Sequence, residues 1–321
     1  MLACPGCGGG LDADLSCAAC GAGYEAPGGV PALRLPGPPA TERVRAFYED
    51  APFPGYPASD SLEWLRTRAG RSRFAQMLDA AIPDDATILD MGCGTGQMGL
   101  YLAHGDRLVV GADMTRASLL LGAGAARRYR VQGVRFVEAD LMQPGLRREA
   151  FDVVFCSGVL HHTPCPAASF ARLATLVRPG GMIVVGLYHA LARLPLRLRR
   201  GVARLTGERW IPFDPVLNDR SAEPARRKAW LRDQYRHPEE HRHTLGEVRR
   251  WFAENRVDYV RTFPSALLGG EEGGLFEPET DGWWLEEWLA QLGWIEALSG
   301  EGGLFVVVGR KAGRAQPSSA G

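Results

Sequence analysis

The sequence predicts an α/β protein: a parallel sheet covered by helices on both faces, with a small cysteine-bearing unit ahead of it. Three observations lead there. From residue 86 to 189, short apolar runs alternate with helical patterns. The first run is followed at once by Gly92, Gly94, Gly96 and Gly99. Two Cys-x-x-Cys pairs stand within the first twenty residues. Strands that are apolar throughout, rather than alternating, are buried on both faces, as in sheets laced by crossover helices.

The chain has 321 residues, enough for one large domain with small additions. Its 37 Lys+Arg balance 37 Asp+Glu, which argues against a dedicated nucleic-acid binder. The start, MLACPGCGGG, lacks the basic and apolar regions of a secretion signal. No apolar run approaches the roughly 18 residues of a spanning helix. The expectation is a cytoplasmic protein with no membrane partner.

Cys4 and Cys7 form one knuckle, Cys17 and Cys20 a second. Paired knuckles in a cytosolic chain point to a metal rather than to disulfides, and four thiolates suit one tetrahedral zinc. Such a closed site has no open coordination position, so its role is structure or recognition. A segment this short builds no sufficient core, and metal binding supplies its folding free energy. Cys-Pro-x-Cys, Cys-x-x-Cys-Gly-x-x-Tyr and Gly-Val-Pro-x-Leu, over residues 2–35, resemble the zinc ribbon of the tRNA-methyltransferase activator subunit. "RLPGPPATE", 34–42, is expected to be a linker.

The central elements follow in order. "ATILDMG" (86–92) is a strand, and "GQMGLYLAHG" a helix stopped by Gly105. "RLVVGAD" (107–113) is a second strand, followed by a helix with Thr115 as N-cap. "VRFVEAD" (134–140) and "FDVVFCSG" (151–158) are the third and fourth strands. "AASFARLATLV" is a helix, and "GGMIVVGLYH" (180–189) the fifth strand.

In parallel sheets, ligands bind at the carboxyl ends of the strands. Those ends carry Asp90 before the glycines, Asp113 after the second strand, Asp140 after the third and "SGVLHH" after the fourth. Gly94-x-Gly96-x-x-Gly99 alone also fits a nicotinamide dinucleotide, and Asp113 fits a ribose in either case. Asp90 stands where a cationic amino group wants a carboxylate, and Asp140 where an exocyclic amine of adenine can donate.

As a set, residues 86–189 resemble class I S-adenosylmethionine (SAM)-dependent methyltransferases, in particular the ubiquinone and menaquinone biosynthetic enzymes. The resemblance implies a Rossmann-like seven-stranded sheet in the order 3-2-1-4-5-7-6 with the last strand antiparallel. "RVDYVRTF" (256–263) and "GGLFVVVGRK" (302–311) would be strands six and seven. It also implies that Asp90, Gly92, Gly94 and Gly96 hold the methionine part and that Asp113 binds the ribose. Met114 would flank the adenine, Asp140 and Leu141 would read its edge, and Ser157 would lie near the sulfonium. Aromatic segments in such enzymes cross the donor pocket, so Phe47, Tyr48 and Tyr56 of "FYEDAPFPGY" are candidates for a lid.

The expected organisation is a ribbon at 1–35, linker and lid helices at 36–85, a SAM-binding domain at 86–311 and a disordered tail at 312–321. Insertions fall at about 190–243 and 264–301. The first should cover the active-site mouth. From 193 to 261 there are 17 Lys+Arg and 10 Asp+Glu, and from 262 to 301 nine acids and no Lys or Arg. These either pack together or offer arginines to an anionic substrate. In "DGWWLEEWLAQLGW", Trp284, Trp288 and Leu292 share one side of a helix, expected to pack inward. Thr244 and Glu247 form a capping box. Candidate proton handlers are His161, His162, Tyr188, His189, Tyr235 and His237, with His189 best placed just beyond strand five. The expected function is methyl transfer to a small-molecule acceptor. The alternatives are an RNA methyltransferase docking through the ribbon, or a non-catalytic SAM-binding partner protein.

Overall fold

In a computed structural model, residues 1–314 are described except 51, 53, 220–222, 270–272, 281 and 299–301. Most of the tail expected to be disordered lies outside the described residues.

Seven strands form one sheet in the order β3-β2-β1-β4-β5-β7-β6. They are β1 (Thr87–Met91), β2 (Leu108–Asp113), β3 (Val134–Glu138), β4 (Phe151–Ser157), β5 (Val177–Tyr188), β6 (Val257–Phe263) and β7 (Leu304–Lys311). The first five pair in parallel, and β7 runs antiparallel between β5 and β6. This is the order the class I resemblance implies. Parallel pairing brings the carboxyl ends of β1, β2 and β4 to one edge.

The continuous apolar strands have the expected cause. Alternate residues feed two cores, one on each face. Leu89, Val154 and Ile183 pack with α6 (Pro166–Leu173) and α9 (Leu245–Glu254). Ile88, Val153 and Val184 pack on the other face with α3 (Arg73–Ala81), α4 (Gln97–Leu102) and α5 (Arg116–Tyr129). The helices α1 (Pro39–Glu49), α2 (Leu62–Ala69), α7 (Leu194–Leu205), α8 (Pro224–Arg236) and α10 (Trp284–Ala297) complete the set. No helix among the described residues is long and apolar enough to cross a membrane.

The cysteine-bearing segment docks on the open edge of the sheet. Leu33 N donates to Glu138 O and Glu138 N to Pro31 O, each at 2.9 Å, so Pro31–Leu33 runs beside β3. Ala3 N donates to Gly145 O at 2.8 Å, and Leu33 is wholly buried. Such cover removes an exposed strand edge. Arg116, in the first turn of α5, bonds Glu138 at 2.5 Å and the Pro27 carbonyl at 2.6 Å, tying the segment to the region after β2.

Three local expectations are corrected. The segment 34–42 is not all linker, because α1 starts at Pro39; a proline costs nothing where the helix N–H lacks a partner anyway. In α10 the buried face is Ala290 and Trp294, continued by Leu298, while Trp284 and Trp288 are exposed. Trp294 wins the inward place because its Nε1 donates to Ser265 O at 3.2 Å and its ring meets Phe305. Half of the capping box forms: Thr244 Oγ1 accepts from Glu247 N at 3.2 Å, but the Glu247 carboxylate lies 3.1 Å from His243 Nδ1. The basic insertion draws its own acids, Arg193 and Arg200 meeting Glu240 and Arg236 meeting Glu208. The acidic one meets Arg249 of α9 through Glu287 at 2.8 Å.

Candidate functional site

A cavity of about 710 Å³ opens at the carboxyl ends of the strands, beneath α1, Pro52 and Pro54, and α8. One half is built from the glycine loop. The backbone at Gly92 turns with φ of +77°, and a Cβ there would fall 2.2 Å from Val159. Only glycine fits this turn. Asp113 holds the loop in place. Its Oδ2 accepts from Gly94 N at 2.8 Å, and its Oδ1 accepts from Thr115 N at 2.8 Å and Thr115 Oγ1 at 2.5 Å. Oδ1 has both lone pairs engaged and Oδ2 only one, so Asp113 keeps one site for a ligand hydroxyl.

Gly92, Gly94, Asp113, Met114, Leu141, Phe47 and Tyr48 all line the cavity. Asp90, Gly96, Asp140, Ser157 and Tyr56 do not. Phe136 crowds the side of Gly96 where a Cβ would stand. Asp140 caps a turn by accepting from Met142 N at 2.7 Å. Ser157 Oγ lies where a Cβ of Gly186 would come within 2.1 Å, so it sits against β5. Tyr56 instead staples the lid: its hydroxyl donates to Thr95 O at 2.7 Å, while Thr95 Oγ1 donates to Pro54 O at 2.8 Å.

Asp90 is 3% exposed, and its Oδ2 has no partner. Burial, reinforced by the Asp113 charge, pushes its carboxyl up to about 7. An orphaned buried carboxyl oxygen under a glycine loop, together with Asp113 and the open space beside Gly94, fits a ligand that brings donors and positive charge.

The opposite wall comes from the loop after β4, the end of β5 and α8. Tyr48 and Tyr188 each donate a hydroxyl to Asp233 at 3.1 Å, and Gln234 Nε2 donates to it at 2.7 Å. His162 Nδ1 lies 2.7 Å from Glu239 O. A carbonyl only accepts, so Nδ1 carries the proton and Nε2 keeps its lone pair. Burial holds the ring below its ordinary pKa. The His237 ring stacks on His162 at 3.6 Å. Its Nδ1 accepts from Glu239 N at 3.1 Å, so its neutral form is protonated on Nε2. His162, Asp233 and His237 place ligand-type atoms within 4.8 Å of one another.

The other candidate proton handlers lie elsewhere. His161 is wholly buried under Tyr188, ring centroids 3.7 Å apart. His189 is the clearest departure: it packs against Trp294 and Phe305 and faces Gln291 at 3.1 Å, away from the cavity lining. Tyr235 donates to Asp214 at 2.6 Å. Asp233 and Gln234 carried no sequence signal; they come from an insertion without a motif.

In the N-terminal segment, the four sulfurs of Cys4, Cys7, Cys17 and Cys20 lie within 4.8 Å of one another, with Cys4–Cys20 at 3.6 Å and Cys7–Cys17 at 3.5 Å. A tetrahedral zinc with bonds of about 2.3 Å sets sulfurs about 3.8 Å apart, so the donor set fits that ion.

The raised pKa of Asp90 has a testable sign. Between the unfolded value of about 4 and the folded value of about 7, the folded protein binds the extra proton. Stability therefore falls as pH rises through that window and levels off above it. Asp90→Asn removes this dependence. In urea unfolding, the stability of the variant relative to wild type should rise from pH 4 to 7; parallel curves would contradict it.

With this geometry in view, residues 89–185 match the family model for a methyltransferase domain. Over 271 residues the chain is 27% identical to an uncharacterised Synechococcus protein, covering 72% of this chain and 64% of that one. Over 123 residues it is 32% identical to the ubiquinone biosynthesis O-methyltransferase of Acinetobacter baumannii, covering 38% of this chain and 47% of the relative. The chain thus spans less than two thirds of these relatives. The structure of the cyclase SpnF superposes with a TM-score of 0.50, covering 87% of this chain and 99% of that one at 16% identity. That likeness is one of fold. Residues 89–185 of this chain are a methyltransferase domain.

Proposed function

We propose that the protein methylates a small-molecule acceptor bearing an ionisable O–H or N–H, with His162 taking the proton. One observation carries this. A single cavity joins the glycine loop and Asp113 to a wall on which His162 presents a neutral imidazole with a free Nε2. The similarity to a ubiquinone O-methyltransferase supports a small-molecule acceptor. The fold alone does not, since fold and chemistry separate readily.

SAM, when bound, would supply an electrophilic methyl on a sulfonium, with a neutral thioether as the leaving group. The chain's part is mostly positioning. Asp113 holds the glycine loop and keeps one lone pair, on Oδ2, for a ligand hydroxyl. Tyr48, Tyr188 and Gln234 hold Asp233 as a fixed carboxylate facing the acceptor. His162 Nε2 accepts the acceptor's proton as its O or N forms the new bond to carbon, and the Glu239 carbonyl holds the ring. Pro54 and Tyr56 keep the lid on the glycine loop and exclude water.

Cys4, Cys7, Cys17 and Cys20 would hold one structural zinc. That ion folds a segment whose role is to cover the β3 edge and brace the start of α5 through Arg116.

With an acceptor found by screening phenols and amines, His162→Gln should lower kcat by about 10²- to 10⁴-fold and abolish the acidic limb of the pH–rate profile. SAM affinity should stay unchanged. Wild-type kcat in the variant would sink the assignment. Metal analysis should find one zinc per chain, and Cys17→Ser should lose it; a wild-type protein without zinc would refute the ribbon site.

A further inference from the structure

Helix α7, in the basic insertion, is apolar on two opposite sides. At about 100° per residue, Leu196 and Ala203 fall on one side; both are buried. Leu194, Leu198 and Leu205 fall within about 40° of one another on the opposite side. This second stripe faces solvent: Leu198 is 75% exposed and Leu205 90%. The chain that follows adds exposed Trp210 and Phe213. Leucines packed on nothing are costly in water unless something covers them.

One flank of the stripe is cationic. By the same rotation Arg197 and Arg204 fall beside it on that flank, while Arg199 lies nearer the buried side. A pocket of about 320 Å³ is lined by Arg197, Arg200, Arg204 and Arg242, with Glu240 as its carboxylate. Glu240 is already engaged by Arg193 and Arg200. Among the described residues, Arg197, Arg199, Arg204 and Arg242 have no ion-pair partner. Burial and the adjacent Arg197 lower the pKa of Arg242, as crowded cations do. The pocket therefore has the charge and hydrogen-bond forks to take a phosphate oxygen.

We propose that α7 and the turn after it dock onto an anionic lipid surface, with Leu194, Leu198 and Leu205 entering the acyl boundary and the flanking arginines meeting headgroup phosphates. Leucine on one face and arginine at its margin is the pattern of a helix lying in the interface plane, and long arginine stems reach back to phosphates while the leucines sink. Charge complementarity selects lipid over a second copy of this chain, whose α7 would bring the same arginines to the contact. Docking of this kind is peripheral. It departs from the expectation of no membrane partner without any spanning helix. It also sets the cavity near the bilayer, since Arg200 Nε donates to Gln234 O at 2.6 Å, and Gln234 lines the cavity from α8. The proposal does not depend on which atom is methylated.

The test is co-sedimentation of the full chain with vesicles of phosphatidylcholine, alone or with about 30% phosphatidylglycerol, at about 0.1 M and about 0.5 M salt. Binding is expected to the anionic vesicles, weakened by salt. It should fall at least tenfold in Leu198→Asp/Leu205→Asp and in Arg197→Glu/Arg204→Glu. Circular dichroism and SAM affinity should match wild type in both variants. Absence of binding to anionic vesicles, or binding that both double variants retain, overturns the proposal. So does a dimer in sedimentation velocity that Leu198→Asp/Leu205→Asp dissolves, which would make a second copy the occupant.

Discussion

The Asp113 carboxylate ties together the two loops from which the glycine-loop half of the cavity is made. Through Gly94 N it holds the turn after β1, and through Thr115 it holds the start of α5. Both loops leave the same edge because β1 and β2 run in parallel, Asp90 pairing with Gly111 and Met91 with Ala112. Thr115 is buried, and in such surroundings a charge-assisted hydrogen bond is strong and an unpaired acceptor is expensive. A second acid, Asp90, lies close by with an oxygen that has no partner. Two carboxyls kept together under a glycine loop make a place that gains when a cation arrives.

The other half of the cavity depends on α8, which belongs to none of the crossover units of the sheet. It is held from three sides. Arg193 and Arg200 of the α7 region bond Gln234. Arg232 reaches the Phe47 carbonyl of α1 and lies 4.3 Å over the Phe47 ring. The hydroxyls of Tyr48 and Tyr188 meet Asp233. The glycine-loop half thus rests on the sheet, while the opposite wall rests on the segment between β5 and β6. The cysteine-bearing segment contributes at a distance, by covering β3 and bonding Arg116 at the head of α5.

Much of this was legible in the sequence, for physical reasons that differ by residue. The five parallel strands were visible because burial on both faces leaves a continuous apolar run. Gly92 and Asp113 were visible because a tight turn and a strand-end acid restrict residue type. Asp140 and Ser157 stand at the right strand ends, yet the Asp140 side chain turns to Met142 N and the Ser157 side chain packs against Gly186 of β5. Position along a strand does not fix side-chain direction beyond its last paired residue. His189 lies one residue past β5, and the β7 and α10 aromatics claim it. Asp233 was hidden in a charged helix with no periodic signal. In α7 and α10 both sides carry apolar residues, and pattern alone does not tell which side finds a partner: Trp294 packs inward while Trp284 and Trp288 face solvent, and Leu196 packs inward while Leu198 does not.

The account turns on Asp113 as the organiser of a SAM site. The direct measurement is calorimetric titration of wild type and Asp113→Ala with S-adenosylhomocysteine, and with NADH in parallel. Binding to wild type without NADH binding, lost by at least about tenfold in a variant that keeps its circular dichroism, is the predicted result. Equal binding by the two proteins, or binding of NADH in place of the adenosyl ligand, would contradict it.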